Sequence, residues 1–374
     1  EQKQCLFFPT VKDGFSGQVV VNTMNHRKES FDTEYDAKAT LDAARHSTIH
    51  VQAVHPEDNV GTNLADELTP LNYYTILSDE EPASVYTNAN LRSFYITQPL
   101  QINMENDRFY SPVGIKEVTV MAKSPTMDEY VEFVYIDDIP AFADIKTSIK
   151  VLEKGLYRTE SGKVLQFSAE EMNPASLSLK IACNDPYWTK ISQIKAKWYI
   201  KFVLNGGNPV TGTPNKNWWG IRPVHCREAV ALFLNIGYMC TLEKFQQRVS
   251  TFQGTFLDNN RYPVDTSTLI SRLENLSGFD IGLIYSGNGV SGLGGGRTWG
   301  VYQKSFLYHY ENSGGCCTTI FHELGHCLGY NHNSTMTYGQ WASGCADVFY
   351  KNNIKDFPVN SHTMLKSRSN PNIY

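Results

Sequence analysis

The sequence predicts a multidomain α+β protein, with an all-β, sandwich-like region over residues 1–190 and an α/β domain over 191–374. Three observations carry this. At 374 residues, 41% of them apolar and 12% aromatic, the chain can bury a sizeable core and exceeds the roughly 100–200 residues of the usual single domain. Its first half consists of short alternating apolar segments broken by Gly, Pro, Asn and Asp, the pattern of half-buried strands. After Trp188 the pattern becomes strand, helix, strands and helix, an α/β order.

Taken in order, residues 17–24, 116–123, 129–136 and 176–183 read as strands of a sandwich-like β module, interrupted by a helical segment at 35–46. The tyrosines and phenylalanines of this region are core candidates; a groove for glycan or peptide is the alternative use of the same residues. Beyond it, 197–204 reads as a strand and 227–252 as a helix, its apolar positions recurring at helical spacing. Residues 279–287 read as a buried strand, and 292–303 as a glycine-rich stretch leading into another. That stretch lacks the G-K-[ST] ending of a phosphate loop.

A net charge of -5 and a pI near 6.1, with no run of lysines and arginines, exclude general attraction to nucleic acid or anionic lipid. No segment approaches the roughly 20 apolar residues of a spanning helix. The chain opens Glu-Gln-Lys-Gln-Cys and reads as a mature-like form. The eight cysteines (5, 183, 226, 240, 316, 317, 327 and 345) form no C-x-x-C pair, which argues against a cysteine zinc site. Their number allows a few disulfides, with Cys226 to Cys240 the local candidate. Cys5 is the candidate for a lipid anchor, or for a thiol contributed by an inhibitory pro-segment.

From His322 the chain reads HELGHCLGYNH, ending at His332. At about 100° per residue on a helix, His322 and His326 lie about 40° apart, one turn above the other, where both imidazoles reach one tetrahedral metal. Glu323 falls about 80° from the middle of that face, beside the metal but not on it, where a general base must stand to take a proton from water. Ile320, Leu324, Cys327 and Leu328 fall on the opposite side and are expected in the core, Cys327 as a buried thiol. Gly329 marks the place where the helix must end if the chain is to return a third ligand, and glycine accepts the left-handed conformation that ends it. His332 completes a set of three and leaves a fourth position open, as catalytic rather than structural zinc requires. From this chain's composition, the five-residue pattern arises by chance in roughly 10⁻⁵ of such chains, a bare H-E-x-x-H in about 1%. The remaining histidines, at 26, 46, 50, 55, 225, 309 and 362, have no ligand spacing.

His322, Glu323, His326, Gly329 and His332 match H-E-x-x-H-x-x-G-x-x-H, and the segment resembles the signature of the metzincin metallopeptidases. Residues 334–339, Ser-Thr-Met-Thr-Tyr-Gly, are similar to the S-x-M-x-Y methionine turn of the astacin-like and serralysin-like branches. The resemblance implies a catalytic domain with a mixed twisted sheet and an active-site helix, and Met336 as the floor beneath the histidines. It implies Tyr338 as an additional ligand that swings to hold the oxyanion, and residues 292–302 as an edge strand pairing with extended substrate. Only three residues separate His332 from Met336, fewer than the clan leads one to expect, and a second Ser-x-x-Met occurs at 361–364. Met336 is preferred to Met364 because Tyr338 and Gly339 follow it. The resemblance spans about residues 195–374 and is specific over 322–339.

It implies a secreted, cell-surface or periplasmic zinc metalloendopeptidase, monomeric, holding one catalytic Zn2+, whose hydrolase substrates are extracellular proteins or glycoproteins. Two other readings remain: a glycoprotein- or mucin-binding protein whose β module dominates over an ancillary or inactive metallopeptidase domain, and a structural or adhesive protein with an inactive metal site. The intact Glu323 opposes the last.

Overall fold

The computed structural model describes residues 111–139, 143–151, 154–172, 176–309 and 316–360, together with the backbone of five further strands between residues 5 and 96. The chain divides into two compact units, Glu1–Ile76 with Pro99–Ser192, and Leu77–Gln98 with Gln193–Tyr374.

In the first unit, the strands are β1 (Cys5–Pro9), β2 (Phe15–Val21), β3 (Ile49–Gln52) and β4 (Pro70–Thr75). After β5 (Ser93–Ile96), which belongs to the other unit, come β6 (Ile115–Lys123), β7 (Val131–Ile139), β8 (Ala143–Val151), β9 (Lys154–Arg158), β10 (Val164–Ser168) and β11 (Ser178–Cys183). Eight of them follow the order β1-β2-β8-β4-β3-β7-β6-β11, and β9 and β10 form a separate hairpin. Every pairing is antiparallel. Strand β3 makes the order continuous, pairing with β4 through Ile49 and His50 and with β7 through Val51 and Gln52. On β7, Val131 and Phe133 are buried and Glu132 between them is half-exposed, the two-residue period of a strand with one face on a core. Met121 and Ala122 are both buried, and the register of β6 on β7 shifts between Val120, which pairs with Val134, and Met121, which pairs with Glu132, a bulge on β7 at Phe133. A short helix, α1 (Pro186–Ile191), closes the unit. The helix expected at 35–46 lies outside the described residues.

In the second unit, β12 (Trp198–Phe202), β13 (Trp218–Trp219), β14 (Gly278–Ile284), β15 (Gly292–Gly295) and β16 (Thr298–Tyr302) join β5 in a sheet of order β15-β16-β14-β12-β5, with β13 against β14. The sheet is mixed: β12, β14 and β16 are parallel, while β5, β13 and β15 run opposite to their neighbours. The division expected near residue 190 is therefore not a single cut, because Ser93–Ile96 forms its strand pairing with Trp198–Lys201. The helices are α2 (Pro223–Thr241), α3 (Glu243–Ser250), α4 (Thr266–Glu274), α5 (Gln303–Tyr308), α6 (Cys316–Cys327) and α7 (Asp347–Asn353). The single helix expected over 227–252 is two helices. Leu242 is extended (ψ 123°) and serves as the last cap of α2 and the first cap of α3.

Helix α2 is buried along almost its whole length, so it forms the centre of the unit rather than an amphipathic cover. Its Phe233 ring packs 4.7 Å from Phe279, 4.8 Å from Trp299 and 6.0 Å from Trp198, joining three strands to one helix. Cys226 and Cys240 are not bridged. They lie fourteen residues apart on this straight helix, about 21 Å at 1.5 Å per residue, far beyond the reach of a disulfide. The protein is thus mixed α/β with several helices, and no helix among the described residues is long and apolar enough to cross a membrane.

Candidate metal centre

Helix α6 is held against the sheet by its apolar side. Ile320, Phe321, Leu324, Cys327 and Leu328 are buried, the Trp299 indole N–H donates to the Ile320 carbonyl, and the Cys327 thiol donates to the Thr298 carbonyl. That thiol is core, and burial raises its pKa to about 12. The helix ends in a Schellman arrangement: the Tyr330 N–H returns to the Gly325 carbonyl and the Gly329 N–H to the His326 carbonyl, with Gly329 at φ +95°. The left-handed glycine satisfies carbonyls the helix would leave without partners. It also turns the Tyr330 carbonyl back towards His326, whose Nδ1–H donates to it at 2.8 Å.

His322 is held in the same way by an element behind it, its Nδ1–H donating to the Thr337 carbonyl at 2.5 Å. Both rings are thereby fixed in the tautomer that leaves the Nε2 lone pair free. The lone pairs converge: His326 Nε2 lies 3.2 Å from His322 Nε2 and 3.0 Å from His332 Nε2. With the Nδ1 atoms carrying the hydrogens, no proton stands between His322 and His326, so this contact is not a hydrogen bond. Its length is close to the roughly 3.3 Å edge of a tetrahedron with metal–nitrogen distances near 2.0 Å. Burial and the neighbouring imidazoles lower the pKa of His322 to about 4, and burial lowers that of His326. Both rings are therefore neutral at neutral pH, the state a metal requires. His332 is exposed, and the ligand atoms of the three residues lie within 4.8 Å of one another. The set fits a metal ion.

Glu323 stands beside this set. Its Oε1 is 3.9 Å from His322 Nε2; with the imidazole neutral, this is proximity rather than an ion pair. The side chain is 3% exposed, and Oε2 has no hydrogen-bond partner among the described residues. Burial pushes its pKa up to about 8. An ionisable group buried without a partner costs stability, and such groups gather where chemistry is done. Strand β15 creates the space for it. A Cβ on Gly292 would lie 2.2 Å from Glu323 Oε1, and one on Gly294 2.6 Å from Oε2. The two glycines share one face of the strand by the two-residue period, and that face meets the carboxylate.

The segment 334–339 packs on α6 from another side. A Cβ on Gly325, inside the helix between the two ligands, would lie 2.1 Å from the Met336 carbonyl oxygen. Met336 and Thr337 are fully buried. Tyr338, next along, is 56% exposed, its ring centroid 4.4 Å from that of His322 and 4.9 Å from that of His332. All five residues expected from sequence, His322, Glu323, His326, His332 and Tyr338, are brought together here. Met364 and the histidines at 26, 46, 55 and 362 lie outside the described residues, and His50 falls in β3. His225 and His309 are buried in unrelated contacts, His225 at the start of α2 and His309 between Glu228 and Tyr350. Sequence reasoning missed Gly325, the part of Gly292 and Gly294 as space for Glu323, and the two carbonyls behind the imidazoles. A glycine inside a helix, tolerated at a cost, was the signal available for Gly325.

No family model, no curated protein and no solved structure matches this chain.

Proposed function

We propose that the protein is a zinc-dependent endopeptidase of the metzincin type, secreted or presented outside the cell, that hydrolyses peptide bonds of extracellular proteins or glycoproteins. The observation that carries this is the convergence of three imidazole lone pairs beside a buried carboxyl group whose Oε2 has no hydrogen-bond partner among the described residues. Three nitrogen donors with room for a fourth ligand suit zinc best.

His322, His326 and His332 would hold the ion. Zinc there would polarise the scissile carbonyl and lower the pKa of water at its open position towards about 7. Glu323 accepts the proton of the attacking water, and its burial makes it a stronger base than a carboxylate in water. It then passes that proton to the leaving amine. Tyr338, exposed beside two of the imidazoles, donates its hydroxyl to the oxygen that becomes negative, a kind of contact worth a few kcal/mol per donor. Strand β15 ends the strand order on the side of Glu323, so an extended peptide can add to its edge by backbone hydrogen bonds.

The test is digestion of a denatured protein mixture by wild type and Glu323→Ala, each with and without a zinc chelator. New peptides from the wild type alone, abolished by the chelator, are the expected result. Equal cleavage by both proteins would refute the role of Glu323, and cleavage indifferent to the chelator would refute the metal.

A further inference from the structure

We infer that the hairpin at residues 256–264 is a clamp that fixes the third metal ligand, with Asn259 as its positioning residue; this rests on the metal reading above. His322 and His326 are oriented through their own rings, whereas no hydrogen bond among the described residues reaches Nδ1 of His332, and the residue is exposed. A ring on an exposed loop is fixed only as well as its backbone is.

The backbone of that loop is gripped from outside. Asn259 makes two bonds at its start: Nδ2 donates to the Gly329 carbonyl at 3.1 Å, and Oδ1 accepts from the Asn331 N–H at 2.7 Å. Beyond His332, Arg261 Nη1 donates to the Asn333 carbonyl at 3.1 Å. At the far end, the Leu257 N–H donates to Thr335 Oγ1 at 2.8 Å and the Thr335 N–H returns to the Leu257 carbonyl. His332 thus sits in the middle of a segment tied on both sides to one hairpin.

The hairpin itself is stiff. Leu257 and Pro263 pair across it, the Asp258 N–H donates to the Tyr262 carbonyl, and Asp258 Oδ1 accepts from the N–H groups of Asn260 and Tyr262. Phe256 is buried at its base between Phe252 and Trp341. Arg261 turns the tip at φ +68°, a conformation a side chain adopts only when its surroundings enforce it. Groups that orient a ligand from behind it typically change metal affinity about 10- to 100-fold when removed. Asn259 plays that part through the backbone.

The experiment is zinc affinity, by competition with a chromophoric chelator, for the full chain and for Asn259→Ala, Asn259→Asp, Arg261→Ala, Asn260→Ala and His332→Ala. It is read with the visible spectrum of the cobalt-loaded proteins and with thermal unfolding of the metal-free ones. Asn259→Ala is expected to bind one zinc about 10- to 100-fold more weakly and to change the cobalt spectrum at saturation, which a merely structural role would leave alone. Asn259→Asp keeps the acceptor for the Asn331 N–H but loses the donor to the Gly329 carbonyl, and falls between. Arg261→Ala weakens binding less, and serves as the clamp variant if Asn259→Ala does not fold. Asn260→Ala, at the same tip, binds as the wild type does. Wild-type affinity and spectrum in Asn259→Ala, or equal weakening by Asn260→Ala, would overturn the clamp while leaving the metal site intact. Zinc bound by the wild type but indifferent to His332→Ala would overturn the clamp and reassign the third ligand. A wild type that takes up no zinc would overturn both.

Discussion

Helix α6 and the loop that follows it hold parts of one site by different means. On the helix, local geometry sets the spacing of His322 and His326, and each ring is oriented by a carbonyl, one from Thr337 and one from Tyr330. On the loop, His332 depends on a hairpin more than seventy residues earlier in the chain. The difference teaches that a compact sequence motif does not imply a locally determined site. Two of its histidines are spaced by helical periodicity, and the third is placed by tertiary contacts the motif does not contain.

The largest expected effect breaks the helix side. Gly325→Ala places a methyl against the Met336 carbonyl, and neither a helix interior nor a buried turn can yield cheaply. A loss of about 3 kcal/mol in denaturant unfolding is expected, with zinc affinity falling alongside; a loss below about 1 kcal/mol would show that the turn moves freely. Next, Gly292→Ala drives a methyl into Glu323 Oε1 without touching a ligand. It should lower kcat about 10- to 100-fold, or roughly 1.4 to 2.7 kcal/mol, with zinc stoichiometry unchanged, and so separate the base from the metal on one helix.

A smaller effect marks the junction between helix and loop. Gly329→Ala meets no atom of the described residues within 4 Å, so its cost is conformational, about 1 kcal/mol for a side chain at positive φ. If the loop is clamped as described, that cost appears in stability; if the loop yields instead, it appears as weaker zinc binding. A further effect is on pH, in the metal-free protein. The folded pKa of Glu323 is raised to about 8 from 4.5, so its contribution is present below 4.5 and lost as pH rises through 8. The folded pKa of His322 is lowered to about 4 from 6.5, so its contribution is present above 6.5 and lost as pH falls through 4. The two oppose each other between 4.5 and 6.5, and Glu323 acts alone from 6.5 to 8. Melting temperature should fall across that upper window in the wild type and stay level in Glu323→Gln.

The same comparison explains what could be read from the sequence. Helix α6, its buried face and its end at Gly329 were legible because spacing, apolar positions and a left-handed glycine are local properties. The glycines of β15 were legible as a glycine-rich stretch, but not as space for Glu323, since that depends on which strand lies beside the helix. Leu242, which splits the expected helix into α2 and α3, carries no breaker signal; the helical pattern runs through it and tertiary packing sets the bend. Strand β5 was not separable from its neighbours, because its pairing with β12 joins segments about a hundred residues apart. Asn259 lies in a polar turn sequence of the kind found in any surface loop.

The central claim, that three imidazoles of this chain hold one zinc, is tested most directly by X-ray absorption at the zinc edge on zinc-loaded protein. One equivalent of zinc surrounded by nitrogen and oxygen at about 2.0 to 2.1 Å is expected, with histidine scattering reduced in His326→Ala. Sulfur at about 2.3 Å, or a spectrum unchanged by His326→Ala, would place the metal elsewhere and contradict it.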